Sequence, residues 1–482
     1  MFLIKKYKSL PVQIKASFWF LICAFLQKGI SMITTPIFTR LLSTQEYGQY
    51  SVFNSWLSIV TILVSLNLSA GVFTQGLVKF EADRASFASA IQGLETFLNC
   101  IWTIIYLVGR RFWNDFLGLT TVQVLSMLVM IWATSVFCFW ADTKRVEYKY
   151  KSLVAITLIV SIAKPGVGIF LVINANDKVT ARILGLALVE LIGYSGMFFL
   201  QMRKGKLFFS KKYWKYALAF NLPLIPHYLS QVVLNSADRI MISNMVGDSE
   251  AGIYSLAYSL SSIMLLFNNS LMQTLSPWIY KKIKDRKINE ISTVAYLSLT
   301  LIAIVNLLLI LVAPEAVAIF APKAYHTAIW TIPPVAMSVY FMFCYDLFAK
   351  FAFYYEKTKL IMCASVIGAV LNIVLNYIFI NAFGYVAAGY TTLVCYVIYS
   401  VAHYNLMNII CKKYCDNVKP YELGKLLMIS VLFVIMGIIL LLTYNHALIR
   451  YGLIAFSVIA LICNRKTIVN LAGKILNLKQ HC

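Results

Sequence analysis

The chain has 482 residues, 60% of them hydrophobic and only 13% charged. That balance excludes a soluble protein of this length and makes lipid the solvent for most of the chain. The formal charge of +23 does not call for nucleic acid, because its lysines and arginines cluster in short segments between apolar stretches.

A spanning helix needs about 20 mostly apolar residues. Fourteen such stretches are predicted, at 17–39, 46–69, 87–108, 117–140, 152–174, 180–202, 216–246, 251–279, 289–313, 329–353, 360–381, 386–410, 423–443 and 447–463. The first carries Gln27, Lys28, Ser31, Thr34, Thr35 and Thr39 within about 140° of arc. Lys28 lies about 17 Å along that helix, too deep for easy snorkelling. Either a buried acid pairs with it or it waits in a wet cavity for an anion, and the second reading is favoured.

In the third span Glu95 is one of the few acidic residues within apolar stretches. The fifth has Lys164 followed by Pro165-Gly166, a helix break beside a central cation. The sixth has Glu190 near its middle with no cation one turn away, the first candidate for a coupling-ion site. Pro223 and Pro226 interrupt the inner half of the seventh span. Its polar residues His227, Gln231, Asn235, Asp238 and Arg239 fit within about 120° of arc. Such breaks are tolerated where they line a cavity or find neighbours. In the tenth span Asp346 and Lys350 are four apart, the favourable order for an internal pair, and Asp346 is the second coupling-ion candidate. The longest outer loop is predicted at 314–328.

The densest basic runs, "RKGKLFFSKKYWK" (203–215) and "KKIKDRK" (281–287), fall on one side of the membrane in this scheme. The positive-inside bias over short loops then places both termini in the cytoplasm. The first span is long and has no small-residue cleavage site, so it reads as a helix and not as a cleaved signal. Ten cysteines suggest no disulfide framework, since most lie within spans as small apolar residues.

The sequence is duplicated. "EYGQYS" (46–51) returns as "EAGIYS" (250–255), "DR" (83–84) as "DR" (285–286), and "INANDKVTA" (173–181) as "INAFGYVAA" (380–388), all in order. Six spans separate the copies, so both enter the membrane in the same direction. Parallel repeats of this kind bind transported substrates between their halves. The expected architecture is an all-α integral membrane protein of about 14 transmembrane helices. It comprises a six-helix lobe over 1–210, a second over 211–415, and over 416–482 two additional helices with a cytoplasmic tail.

Catalytic signatures are missing. There is no G-x-x-x-x-G-K-[ST] loop, no H-E-x-x-H and no G-x-S-x-G, and the short outer loops leave little room for an external catalytic domain. No enzyme, cofactor or metal site is expected.

Three stretches carry a resemblance: "TTPIFTRLLSTQEYGQYSVFNSW" (34–56), "NLPLIPHYLSQVVLNSADRIMISNMVGDSEAGIYSLAYSLSSI" (221–263) and "LNIVLNYIFINAFGYVAAGYTTLVCYVIYSV" (371–401). In this order they resemble the first, seventh, and eleventh to twelfth helices of bacterial polysaccharide-repeat flippases. These O-antigen and capsule exporters belong to the multidrug/oligosaccharidyl-lipid/polysaccharide exporter superfamily. The resemblance implies two lobes around a central cavity and alternating-access transfer of an undecaprenyl-pyrophosphate-linked oligosaccharide from the cytoplasmic to the outer leaflet of the bacterial inner membrane. It further implies an ion gradient, H⁺ or Na⁺, as the driving force, with membrane lipids and other polysaccharide-assembly proteins as neighbours.

On that reading Lys28, Arg239 and Lys164 would meet the diphosphate, with Asp238 beside them. Asn235, Asn268, Tyr254 and Tyr258 would bind sugars. The alternatives are a drug/cation antiporter of the same fold, which needs a cavity of acids, and a polysaccharide polymerase or ligase, which needs a large catalytic outer loop.

Overall fold

The computed structural model describes residues 12–463, so the tail predicted after the last span lies outside the described residues. In chain order the helices are α1 (Val12–Leu41), α2 (Thr44–Ser65), α3 (Val72–Lys79), α4 (Arg84–Val108), α5 (Arg110–Leu117), α6 (Thr121–Val146), α7 (Tyr150–Asn174), α8 (Lys178–Gly205) and α9 (Lys211–Asn221). Then follow α10 (Ile225–Met245), α11 (Asp248–Ser261), α12 (Ile263–Lys284), α13 (Ile291–Leu311), α14 (Ala313–Phe320), α15 (Ile332–Tyr354), α16 (Thr358–Phe383), α17 (Ala387–Tyr414), α18 (Leu423–Leu442) and α19 (Ala447–Cys463). No strand occurs among the described residues.

Every predicted stretch is helical over most of its length, the seventh and eighth as two helices each. Among the described residues eleven helical segments are long and apolar enough to cross a membrane. The remaining three predicted stretches lie on α1, α2 and α19. Ile159, Phe170, Ile192, Phe199, Val370 and Phe383 are all exposed. Water would penalise such faces at about 25 cal/mol per Å², and lipid does not.

Local chemistry sets the helix ends. Ser43 and Glu46 close a capping box at the start of α2, with Glu46 N–H donating to Ser43 Oγ at 3.1 Å and Ser43 N–H to Glu46 Oε2 at 2.7 Å. Thr120 and Gln123 repeat the device at α6. Pro223 removes a backbone donor, and a 3₁₀ turn at Leu222–Leu224 joins α9 to α10 within one continuous apolar segment. The eighth predicted span is likewise two helices, α11 and α12, joined at Ser262. The outer loop predicted at 314–328 is itself ordered, with α14 followed by a 3₁₀ segment, Lys323–Trp330.

The chain folds as two compact units, Met1–Val232 and Val233–Cys482, and the division falls inside α10. In the first unit Phe53, Met127, Ile131 and Ile183 form one core, and Phe73, Phe87, Phe139 and Tyr213 form another that seats α9 against α3 and α4. Helices α7 and α8 meet backbone to backbone. A Cβ on Gly185 would stand 3.0 Å from the Cα of Gly168, a close approach that small residues permit. In the second unit α15 is the most buried of the eleven long apolar segments. It packs along α17, and Tyr340, Phe343, Leu347 and Phe351 on it have no exposed surface.

Candidate functional site

Buried polar groups gather in a few places along the long apolar helices, one of them in the second unit. Asp238 on α10 has no exposed surface. Its carboxylate accepts from Tyr254 Oη at 2.6 Å, from Asn376 Nδ2 at 2.6 Å and from Thr392 Oγ1 at 3.0 Å. Asn376 Nδ2 also reaches Asn372 Oδ1 at 3.2 Å, and Thr391 Oγ1 donates to Asn376 Oδ1. Four helices, α10, α11, α16 and α17, thus meet on one carboxylate. The neighbouring Arg239 faces another way. Its Nη1 donates to the Asn235 carbonyl at 2.7 Å, and its guanidinium lies over the Tyr258 ring, 4.2 Å from the centroid. Tyr258 Oη in turn donates to Asn235 Oδ1 at 3.0 Å.

The structure therefore brings Asp238 and Tyr254 together in one cluster and Arg239, Asn235 and Tyr258 together in a second beside it. Asn268 sits elsewhere, with its Nδ2 donating to the Val339 carbonyl at 2.8 Å. Asp346 and Lys350 form their own pair at 2.6 Å. Nothing in the sequence marks Asn372, Asn376, Thr391 and Thr392 as neighbours of Asp238. The repeat "INAF" borders them, but nothing in it shows that residues 138 positions from Asp238 meet it.

In the first unit Lys164 on α7 pairs with Glu190 on α8 at 2.6 Å, and Thr134 on α6 donates to Glu190 Oε2 at 3.1 Å. The acid that lacked a local partner in sequence has one on the next helix. Removing it with Glu190→Ala should destabilise the protein by about 2–3 kcal/mol, somewhat less than the loss from a fully buried pair because Lys164 keeps 29% of its side chain exposed. Lys164→Met on that background should restore most of the loss. Thermal melts of the two single variants and the double variant measure this, and strictly additive losses would mean that the pair is not coupled.

Lys28 on α1 is half-buried and has no ion pair, hydrogen bond or ring contact among the described residues. Gln27 beside it donates to Ser161 Oγ on α7 at 3.3 Å. Arg182, in the second turn of α8, has no motif in the sequence to mark it. Its guanidinium carbon lies 3.8 Å from the Phe38 ring centroid and 3.5 Å from that of Tyr50. Lys178, one turn earlier, donates to the carbonyl of Leu41 at 3.0 Å and so caps the C-terminus of α1. The repeated "EYGQYS" accordingly does two local jobs: Glu46 caps α2, and Tyr50 supports Arg182. Its counterpart Tyr254, 204 positions on, supports Asp238 instead.

Among the described residues no three His, Cys, Asp or Glu side chains form a group able to hold a metal ion. The Asp238 cluster has another composition: one carboxylate surrounded by hydroxyls and amides. After a single torsional rotation each of those groups can present an oxygen in place of a hydrogen.

The model of the family described as "Polysaccharide biosynthesis protein" matches residues 14–283, more than half of the chain. The chain belongs to that family. A second family model, MatE, matches residues 223–378. This polysaccharide biosynthesis family member is 23% identical over 383 residues to a protein of the Lsg locus of Haemophilus influenzae, covering 74% of this chain and 89% of that one. An uncharacterized membrane protein of the same organism is 21% identical, covering 74% and 88%. Among solved structures, the lipid II flippase MurJ in an inward closed conformation superposes with a TM-score of 0.67 at 16% identity, over 93% of this chain and 99% of its own. An inward-facing multidrug resistance MATE family transporter of the MOP superfamily gives 0.60 at 12% identity, over 80% and 96%. At those identities the superpositions establish a shared fold. The family member is thus a multi-pass integral membrane protein that shares the fold of those solved flippase and transporter structures.

Proposed function

We propose that the protein is a flippase that carries an undecaprenyl-pyrophosphate-linked oligosaccharide repeat from the cytoplasmic to the outer leaflet of the inner membrane. The transfer serves surface polysaccharide of the O-antigen or capsule type. It proceeds by alternating access of two six-helix lobes, 1–210 and 211–415, with both termini in the cytoplasm.

Lys28 is the observation that carries this reading. A half-buried ammonium deep in α1, with no acid, hydrogen bond or ring against it among the described residues, is costly in a bilayer unless an anion arrives. A diphosphate is such an anion. The prenyl chain has a suitable surface in the second unit, an apolar groove of about 530 Å³ lined by Phe341, Phe348, Val401, Leu427 and Val431.

The driving force is an inward gradient of a monovalent cation. Of the coupling-ion candidates, Glu190 and Asp346 each already hold a lysine. Asp238 instead holds three neutral donors, which makes it the better coupling site.

The MatE match over residues 223–378 favours a second reading, export of organic cations. The two separate on gene deletion. A flippase deletion accumulates lipid-linked repeats on the cytoplasmic face and strips the cell of the polysaccharide. Normal surface polysaccharide together with drug hypersensitivity would favour the antiporter and end the flippase reading.

A further inference from the structure

Glu95, on α4, is 1% exposed, and neither of its carboxyl oxygens has a hydrogen-bond partner among the described residues. Ser135 of α6 stands beside it without a hydrogen bond of ordinary geometry. Gln92, one turn earlier on the same face of α4, donates from Nε2 to the Phe198 carbonyl of α8 at 3.1 Å and leaves Oε1 buried and unpartnered. Gln201, one turn beyond Phe198, donates to the Val136 carbonyl of α6 at 3.5 Å and also leaves Oε1 buried and unpartnered. Four acceptor oxygens, three on Gln92 and Glu95 of α4 and one on Gln201 of α8, are therefore stranded where α4, α6 and α8 pack together. One serine hydroxyl cannot serve them all.

No charged group among the described residues offsets Glu95. On α6, Asp142 holds Arg145 and Cys138 lies among Asp142, Arg145, Glu190 and Lys164. On α8, Glu190 holds Lys164, with Tyr194 beside that pair. On α2, Glu46 caps Ser43. On α3, Lys79 lies over Tyr216, and on α9, Lys212 lies over Phe80 while Tyr213 reaches Asp83. On α5, Arg110, Arg111 and Asp115 begin beyond Val108, more than three turns from Glu95.

We propose that the α4–α6–α8 pocket is a proton-binding site centred on Glu95, which holds its proton while the three helices are packed and exchanges it when water reaches them. A carboxylate in this place would be charged, dry and unpaired. The protonated acid removes the charge and adds one hydroxyl donor to a pocket of stranded acceptors. The site lies in the first unit and is separate from the Asp238 cluster. It stands whether or not the cargo is a lipid-linked sugar, because its test uses no cargo.

The test is infrared difference spectroscopy of the full-length protein in lipid nanodiscs. At neutral pH the wild type should show the C=O stretch of a protonated carboxylic acid. The band should vanish in Glu95→Gln, persist in Glu190→Gln, and be unchanged when Na⁺ replaces K⁺. A missing band in the wild type, or one that survives Glu95→Gln, overturns the proposal, as does a band displaced by Na⁺. Should Glu95→Gln fail to fold, titration of the wild type decides: a buried acid band that bleaches reversibly at alkaline pH supports the site, and one that never responds shows that the pocket does not exchange its proton.

Discussion

Asp238→Asn should uncouple the protein: transport in proteoliposomes no longer responds to an imposed H⁺ or Na⁺ gradient, while the variant still reaches the membrane. The substitution keeps the shape of the side chain and one acceptor oxygen, and it removes the charge that would attract a cation. Its new amide group faces hydroxyl or amide donors, which must rotate to accept from it or leave one buried contact unsatisfied. That costs about 1–3 kcal/mol, which a protein this extensively packed should survive. Asp238→Ala is a harsher change. Tyr254, Asn376 and Thr392 all lose their acceptor, at about 1–3 kcal/mol for each group left unsatisfied, and lower expression is expected. The contrast matters because a purely structural Asp238 would make the two variants differ only in stability. A gradient response preserved in Asp238→Asn would remove this carboxylate from the coupling site.

The sequence reveals the elements far better than the clusters. Helix positions follow from apolar length, so each predicted stretch is helical over most of its length, and the Pro223 break appears where a missing N–H requires one. The short helices are less legible. Helix α5, "RRFWNDFL", reads as a polar outer loop until one sees its rings packed, Phe112 against Trp113 and Phe116. Partnerships between helices are least legible. Helical spacing shows that Asp346 and Lys350 can meet, but Thr134 and Glu190 are 56 positions apart and Asp238 and Asn376 are 138 apart. The duplication marks the backbone that is shared and conceals the chemistry that is not. Gly185, where α7 and α8 touch, occupies the place that Thr392 holds 207 positions later. There a hydroxyl fits and donates to Asp238. Each of these differences arises from which helix lies opposite, and a single chain's periodicity carries no record of that.

Lys28→Ala should abolish export. If Lys28 meets the diphosphate, the contact is charge-assisted and sheltered from water, and truncating such a group costs about 2–4 kcal/mol, about 30- to 1,000-fold in rate or affinity. The fold should tolerate the change because no partner among the described residues is orphaned by it, in contrast to the removal of Glu190 from Lys164. Lys28→Arg separates charge from geometry. A point charge can be replaced by a guanidinium with partial activity, whereas a role that needs a compact ammonium cannot. The readout that isolates the role is binding of a pyrophosphate-linked prenyl lipid to the purified variant. Loss of binding at unchanged melting temperature is the expected result. Unchanged binding with lost export would move Lys28 from cargo recognition to the movement of α1. Normal export in Lys28→Ala would leave the unpaired ammonium without a part in transport and remove the main support for an anionic cargo.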